Sequence, residues 1–127
     1  MSITENKAIL RRLVEAFNRK DLSVIDELFS SDFVLHDANH PDWPRGIEGA
    51  CKMFSQLFAL APEIQATIEE LIAEADKVAV RWTFQSKRKD EVSPVTAIAI
   101  GIYRIKNGKI AEDWGMAARS QTAQPWE

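Results

Sequence analysis

Apolar residues recur at helical spacing through the first half of the chain and at strand spacing through the second. Leu10, Leu13, Val14 and Phe17 fall on one side of a 3.6-residue repeat, with Arg11, Arg12, Glu15 and Arg19 on the other. Ser2 followed by Glu5 forms a capping-box pattern, which predicts a helix starting at Ile3. Asn18 to Asp21 breaks it. Leu22, Ile25, Leu28 and Phe29 then predict a short second helix, ended by Ser30-Ser31-Asp32. Phe33 to Asp37 reads as a short strand, and Pro41, Pro44 and Gly46 mark a loop. Ala50, Met53, Phe54, Leu57, Phe58 and Ala61 share one face of a third helix, from about Ile47 to Ala61, and Pro62 stops it.

Beyond Pro62 the period becomes two. Ile64, Ala66 and Ile68 alternate, and Leu71-Ile72 interrupts the alternation as a bulge would. Ala75-Asp76-Lys77 is a turn. Val78, Val80, Trp82 and Phe84 alternate along a half-buried strand, and Lys87 to Pro94 is a polar connection. Val95 to Ile105 and Lys109 to Ala117 form a hairpin around Asn107-Gly108. Helices first and strands last predict an α+β fold, with the N-terminal helices packed on one face of an antiparallel sheet.

A regular two-residue turn at Asn107-Gly108 fixes the register of that hairpin. Tyr103 then faces Glu112, Gly101 faces Trp114, Ala99 faces Met116 and Ala97 faces Ala118, all on one side of the sheet. Ile98, Ile100, Ile102 and Arg104 occupy the other side, with Ala111, Asp113, Gly115 and Ala117. The first side mixes small residues with large amphipathic ones and is read as the wall of a cavity beneath the helices. On the alternative reading, the small residues only make room for bulky helix side chains and Glu112 sits at a rim. The isoleucine side needs a cover of its own, which predicts a homodimer through Ile98, Ile100 and Ile102.

Composition narrows the function. A length of 127 residues predicts one domain over 1–127, and 46% apolar with 28% charged residues is ordinary for a folded chain. The net charge is −3, and the basic run Lys87-Arg88-Lys89 is followed at once by Asp90 and Glu91. Nucleic acid is therefore not the expected partner. Cys51 stands alone, which excludes an intramolecular disulfide and a cysteine metal cluster within the chain. The first residues contain no apolar signal core, and the longest apolar run, Ala97 to Tyr103, is far short of the roughly 20 residues that span a bilayer. A cytoplasmic location without membrane association is the expectation.

An ordered set of segments resembles the SnoaL-like polyketide cyclases of the NTF2-like superfamily. It comprises residues 13–21 (Leu-Val-Glu-Ala-Phe-Asn-Arg-Lys-Asp), Asp32 to Asp37, Gly46-Ile47-Glu48-Gly49, Pro62-Glu63-Ile64, Ile68 to Trp82, and Tyr103 to Trp114. The resemblance implies a cone-shaped barrel, a bent antiparallel sheet around helices with one apolar pocket, and dimers through the convex face. It also implies ring closure in polyketide esters by an intramolecular aldol step, without metal or cofactor. The family's usual acid/base side chain lies four residues beyond the Trp of Glu-x-Trp, and here that position is Ala118. The Gly-Thr-His-type segment common after the Arg-Trp strand is replaced by Gln85-Ser86-Lys87-Arg88.

The candidate chemistry follows from these two readings. The resemblance makes His36 a pocket-facing proton shuttle; the alternative is a structural histidine closing the barrel mouth. Glu112 is the carboxylate left on the expected cavity face, either raised in pKa by burial or bonded to Tyr103 to fix the sheet. Tyr103 would donate to a developing oxyanion. Asp113, on the opposite side, pairs with Arg104 or a partner subunit. Trp43, Phe54, Phe58, Trp82, Tyr103, Trp114 and Met116 are the candidate ligand-binding residues, with Trp43 a lid in its Pro-rich loop. His36, Asp37, His40 and Asp42 contain a four-residue histidine spacing that suits a metal only on a helix, and Pro41 argues against one. The expected ligand is a small apolar carbonyl compound, converted by cofactor-free cyclisation, isomerisation, dehydration or hydrolysis. The alternatives are a non-catalytic ligand carrier and a protein-interaction module on the same fold.

Overall fold

The computed structural model of the chain describes residues 2–86 and 95–119. The Lys87 to Pro94 connection lies outside them, as do the side chains of Met116 and Ala118. Helix α1 spans Ile3–Asn18 and opens on the expected capping box: the Glu5 N–H donates to Ser2 Oγ at 3.0 Å, and the Ser2 N–H donates to Glu5 Oε1 at 3.1 Å. Its apolar face buries Ile9, Leu10, Leu13, Ala16 and Phe17. Lys20 then adopts a left-handed φ of 58° and ends the helix, and Asp21 caps a 3-10 turn at Leu22–Val24. Helix α2 is the single turn Ile25–Leu28.

Strand β1 runs Phe29–His36, so Ser30-Ser31-Asp32 lie within a strand and do not terminate the second helix there. Helix α3 spans Gly46–Leu60. Gly46 has φ 75°, and a Cβ on it would come within 2.6 Å of the Ser31 carbonyl oxygen, so only glycine lets the chain enter α3 this close to β1. Strands β2 (Gln65–Glu74), β3 (Lys77–Ser86), β4 (Val95–Lys106) and β5 (Lys109–Arg119) follow. Positive φ at Asn107 and Gly108 gives the expected type I′ turn between β4 and β5. The sheet order is β1-β5-β4-β3-β2. It is not wholly antiparallel as expected, because β1 lies parallel to β5. The crossover from β1 through α3 to the other strands makes that edge parallel.

The architecture is the expected α+β, with three helices on one side of an open, curved five-stranded sheet. Val78, Val80, Trp82, Tyr103, Ile105 and Ile110 meet Leu10, Leu13, Phe17, Phe29, Phe33 and Phe54 in one core. Asn18 lends its amide to the edge of β2, accepting from the Ala66 N–H at 2.7 Å and donating to the Ala66 carbonyl at 2.9 Å. Among the described residues no helix is long and apolar enough to cross a membrane.

Two strand irregularities shape the sheet. The β2–β3 register shifts between Ile68 and Glu70, the bulge expected from the broken alternation. The β4–β5 register shifts between Arg104 and Ile105, and Ala111 is the extra residue. Two consecutive side chains, Ile110 and Ala111, are therefore both buried. Ala111→Asp should place an unpaired carboxylate in the core, whereas a regular register would set it outward beside Arg104. A loss of about 3–5 kcal/mol, the cost of an uncompensated buried charge, is expected in urea unfolding. An unchanged midpoint would show that the bulge does not set the side-chain directions.

Candidate active site

The Ala111 bulge inverts β5 relative to the regular hairpin register. Tyr103 lies opposite Asp113, Gly101 opposite Gly115, Ile102 opposite Trp114, and Arg104 opposite Glu112. Asp113 therefore points into the protein beside Tyr103, not outward to Arg104. Glu112 and Trp114 share the outer face with Ile98, Ile100 and Ile102, all of which are exposed. Met116 pairs with Ile100 in this register.

On the inner face, Asp113 is 7% exposed, and its Oδ1 has no hydrogen-bond partner among the described residues. Burial, and after it the carboxylate of Asp37, push the Asp113 carboxyl up to about 7. Tyr103 lies across Gly101, where an added Cβ would be 3.1 Å from the ring. Its hydroxyl oxygen accepts from Trp82 Nε1–H at 3.0 Å, which leaves the O–H proton free to donate. Burial raises the Tyr103 hydroxyl well above its ordinary range, and Asp113 adds to this. The small residues of this face thus make room for Tyr103 and for the Asp113 carboxyl, since a Cβ on Gly115 would be 3.2 Å from Asp113 Oδ1. Leu35, Met53, Leu57, Phe58, Phe84 and Ala99 are only partly buried around this core.

The outer face gathers a different set. His36 Nε2 is 3.0 Å from Glu112 Oε1, and Arg104 Nε donates to the other oxygen of Glu112. The His36 ring stacks on Trp114 with centroids 4.7 Å apart. Arg104 first, and His36 after it, hold the Glu112 carboxyl below its ordinary range against the opposing effect of burial. Glu112 is thus a standing anion, and its pKa is not raised as its expected burial beside Tyr103 implied. The two residues named together from the sequence are indeed brought together, on the side of the sheet away from Asp113.

The remaining candidates have plain positions. Phe54 and Phe58 pack with Phe17 between α1 and α3, beside a cavity of about 10 Å³, room for one water. Trp43 donates its indole N–H to the Gly49 carbonyl at 2.9 Å and lies under Lys52 Nζ, so it is fastened to the start of α3. Asp37 accepts from the Asn39 N–H and pairs with His40, which keep it ionised. Among the described residues no group of three or more His, Cys, Asp or Glu side chains is placed to hold a metal ion. Sequence reasoning missed Asp113. The available signal was charge: the bulged register sets Arg104 opposite Glu112, whereas the regular one sets it opposite Ala111.

A family model of SnoaL-like polyketide cyclases matches residues 7–124. No curated protein matches the chain. Among solved structures, IdmH, a candidate polyketide cyclase from Streptomyces antibioticus, is 28% identical, with TM-score 0.77 over 88% of this chain and 91% of that one. A candidate polyketide cyclase from Bacillus cereus is 27% identical, with TM-score 0.79 over 90% of this chain and 74% of that one. AclR, a candidate hydroxylase from Streptomyces galilaeus, is also 27% identical, with TM-score 0.77 over 91% of this chain and 80% of that one. Similar chains are thus described with more than one activity.

The Asp113 carboxyl has a stability signature. The ordinary value is 3.8 and the folded value about 7. Below 3.8 both states hold the proton and stability is highest. Between the two values only the unfolded chain ionises, so stability falls by about 1.4 kcal/mol per pH unit, and above about 7 the fall is complete. Asp113→Asn should lack this fall. Urea-unfolding free energies of both proteins across that range test it, and parallel curves would contradict a neutral buried Asp113.

Proposed function

The chain belongs to the SnoaL-like polyketide cyclase family, and from that premise we propose that it acts on a small apolar carbonyl compound by cofactor-free proton transfer. The observation that carries this reading is the buried carboxyl of Asp113, whose Oδ1 has no hydrogen-bond partner among the described residues, in cross-strand register with Tyr103. A C–H bond next to the substrate carbonyl breaks, its proton passes to the Asp113 carboxylate, and the electron pair moves onto the carbonyl oxygen. That oxygen takes a hydrogen bond from Tyr103, whose own oxygen is held by Trp82. Asp113 then returns the proton as the enolate collapses, in isomerisation at a neighbouring carbon or after carbon–carbon bond formation in a cyclisation. A carboxyl poised near neutrality suits both directions. Asp113 would supply the group that Ala118 cannot.

Ala118 also favours a second reading, a carrier that binds such compounds without converting them. Proton–deuterium exchange next to the carbonyl of one- to three-ring aryl ketones, followed by NMR in D2O, separates the two. Exchange above the solvent rate is expected, falling by about 10²–10⁴-fold in Asp113→Asn with ligand binding retained. Binding without exchange would establish the carrier.

The outer face is proposed to pair two copies of the chain. The strand registers align Ile72, Ala79, Ile102, Trp114 and His36 in one row across all five strands. Ile98, Ile100 and Ile102 are 51, 59 and 43% exposed beside this row, a patch unusual on a monomer. Ile100→Asp should give a folded monomer in sedimentation where the parent chain is a dimer, and a monomeric parent would end the proposal.

A further inference from the structure

Lys20 has no part in the proton transfer described above, yet it stands at the other end of the same row of aromatic rings. We infer that its ammonium binds a carboxylate of the ligand, so that the compound taken is an aryl keto acid, with its carbonyl toward Tyr103 and its acid group at the end of α1. This rests on the ligand being a carbonyl compound seated at Tyr103 and Asp113.

Lys20 follows α1 in a left-handed conformation, φ 58°, which glycine takes without steric cost. A lysine at this position strains the backbone, and its side chain is closely placed. Its Nζ donates to the Ile64 carbonyl and lies 5.7 Å from the centre of the Phe17 ring and 5.4 Å from that of Phe58. A backbone oxygen and two ring faces favour the charged ammonium over a neutral amine. The carbonyl takes one of the three N–H donors that a lysine carries. Among the described residues no ion pair includes Lys20. The adjacent Asp21 carboxylate is turned to Ser23, whose N–H and hydroxyl both donate to its Oδ1.

Phe17 and Phe58 begin a continuous path to the reacting groups. The Phe84 ring meets Phe17 edge-on at 5.7 Å, Trp82 stacks on Phe84 at 5.8 Å, and the Trp82 indole N–H reaches the Tyr103 hydroxyl. The strand registers run the same way. Gln65, next to Ile64, pairs with Gln85 near the end of β3, and Tyr103 pairs with Val78 near its start. Lys20 and Tyr103 thus mark the two ends of one inner face. Lys20, Phe58 and Phe84 are each half-buried, so the path has an accessible edge. Ring faces along it suit fused or linked aromatic rings, and the ammonium at its outer end selects an acid group set well away from the ketone. Burial lowers the Lys20 ammonium from its ordinary value, and a carboxylate against it would offset that lost hydration.

Calorimetric affinities for an acetylnaphthoic acid, its two groups on opposite rings, and for its methyl ester test the assignment. The parent chain should bind the acid about 10-fold more tightly than the ester, and added salt should narrow the difference. Lys20→Arg should keep the preference. Lys20→Gly relaxes the left-handed backbone, so it should fold, and it should bind acid and ester alike. Equal affinities in the parent chain, a preference that survives Lys20→Gly, or binding of neither compound would overturn the ionic role of Lys20. So would a borohydride-fixed adduct on Lys20, which would show its amine condensing with the ketone. Deuterium exchange at the acetyl group reads Asp113 separately. A Lys20-dependent preference for the acid without exchange would support the anchor and overturn the proton transfer alone.

Discussion

One extra residue in β5 determines what each face of the sheet carries. Glu112 and Asp113 are neighbours in sequence, and a strand must send them to opposite sides. The Ala111 bulge sends Asp113 inward and leaves Glu112 between Arg104 and His36. The shorter carboxyl, whose Oδ1 has no hydrogen-bond partner among the described residues, is thereby desolvated, while the one held by Arg104 and His36 stays at the surface. The arrangement suits charge: a solvated carboxylate with an arginine costs little, and a buried one persists by keeping its proton.

The inner face then works as a fitted surface. Gly101 lets the Tyr103 ring lie flat on β4, Trp82 holds the Tyr103 oxygen, and Gly115 leaves space around the Asp113 carboxyl. Small residues in a strand often signal a hollow; here they mark where a neighbouring side chain folds back over the backbone. A hydroxyl with a free proton and a carboxyl with a raised pKa within one cross-strand pair is the combination that proton transfer at a carbonyl requires.

Much of this was legible in the sequence because it is local. The capping box, the end of α3 before Pro62, the β2 bulge and the Asn107-Gly108 turn each depend on a few adjacent residues. The start of β1 was not, because Phe29 has the same apolar character in a helix as in a strand, and its pairing with β5 is decided some eighty positions away. The faces of β5 were lost for a different reason. Strand parity propagates from the turn, so a single inserted residue reverses every later assignment, and Glu112, Trp114 and Asp113 changed sides together. The aromatic candidates Phe54, Phe58, Trp82 and Tyr103 were correctly taken as interior, since bulk and hydrophobicity report burial whatever the register.

Helix α1 is bolted to the sheet by polar clamps at both ends: Asn6 donates to the Ala75 carbonyl, and Asn18 brackets Ala66. Helix α3 is anchored differently, through Gly46, Gly49 and Trp43 at its beginning, while Leu60 near its end is exposed. The two helices are thus fixed to the sheet by different means, α1 through side-chain amides at both ends and α3 through close backbone approach at its start.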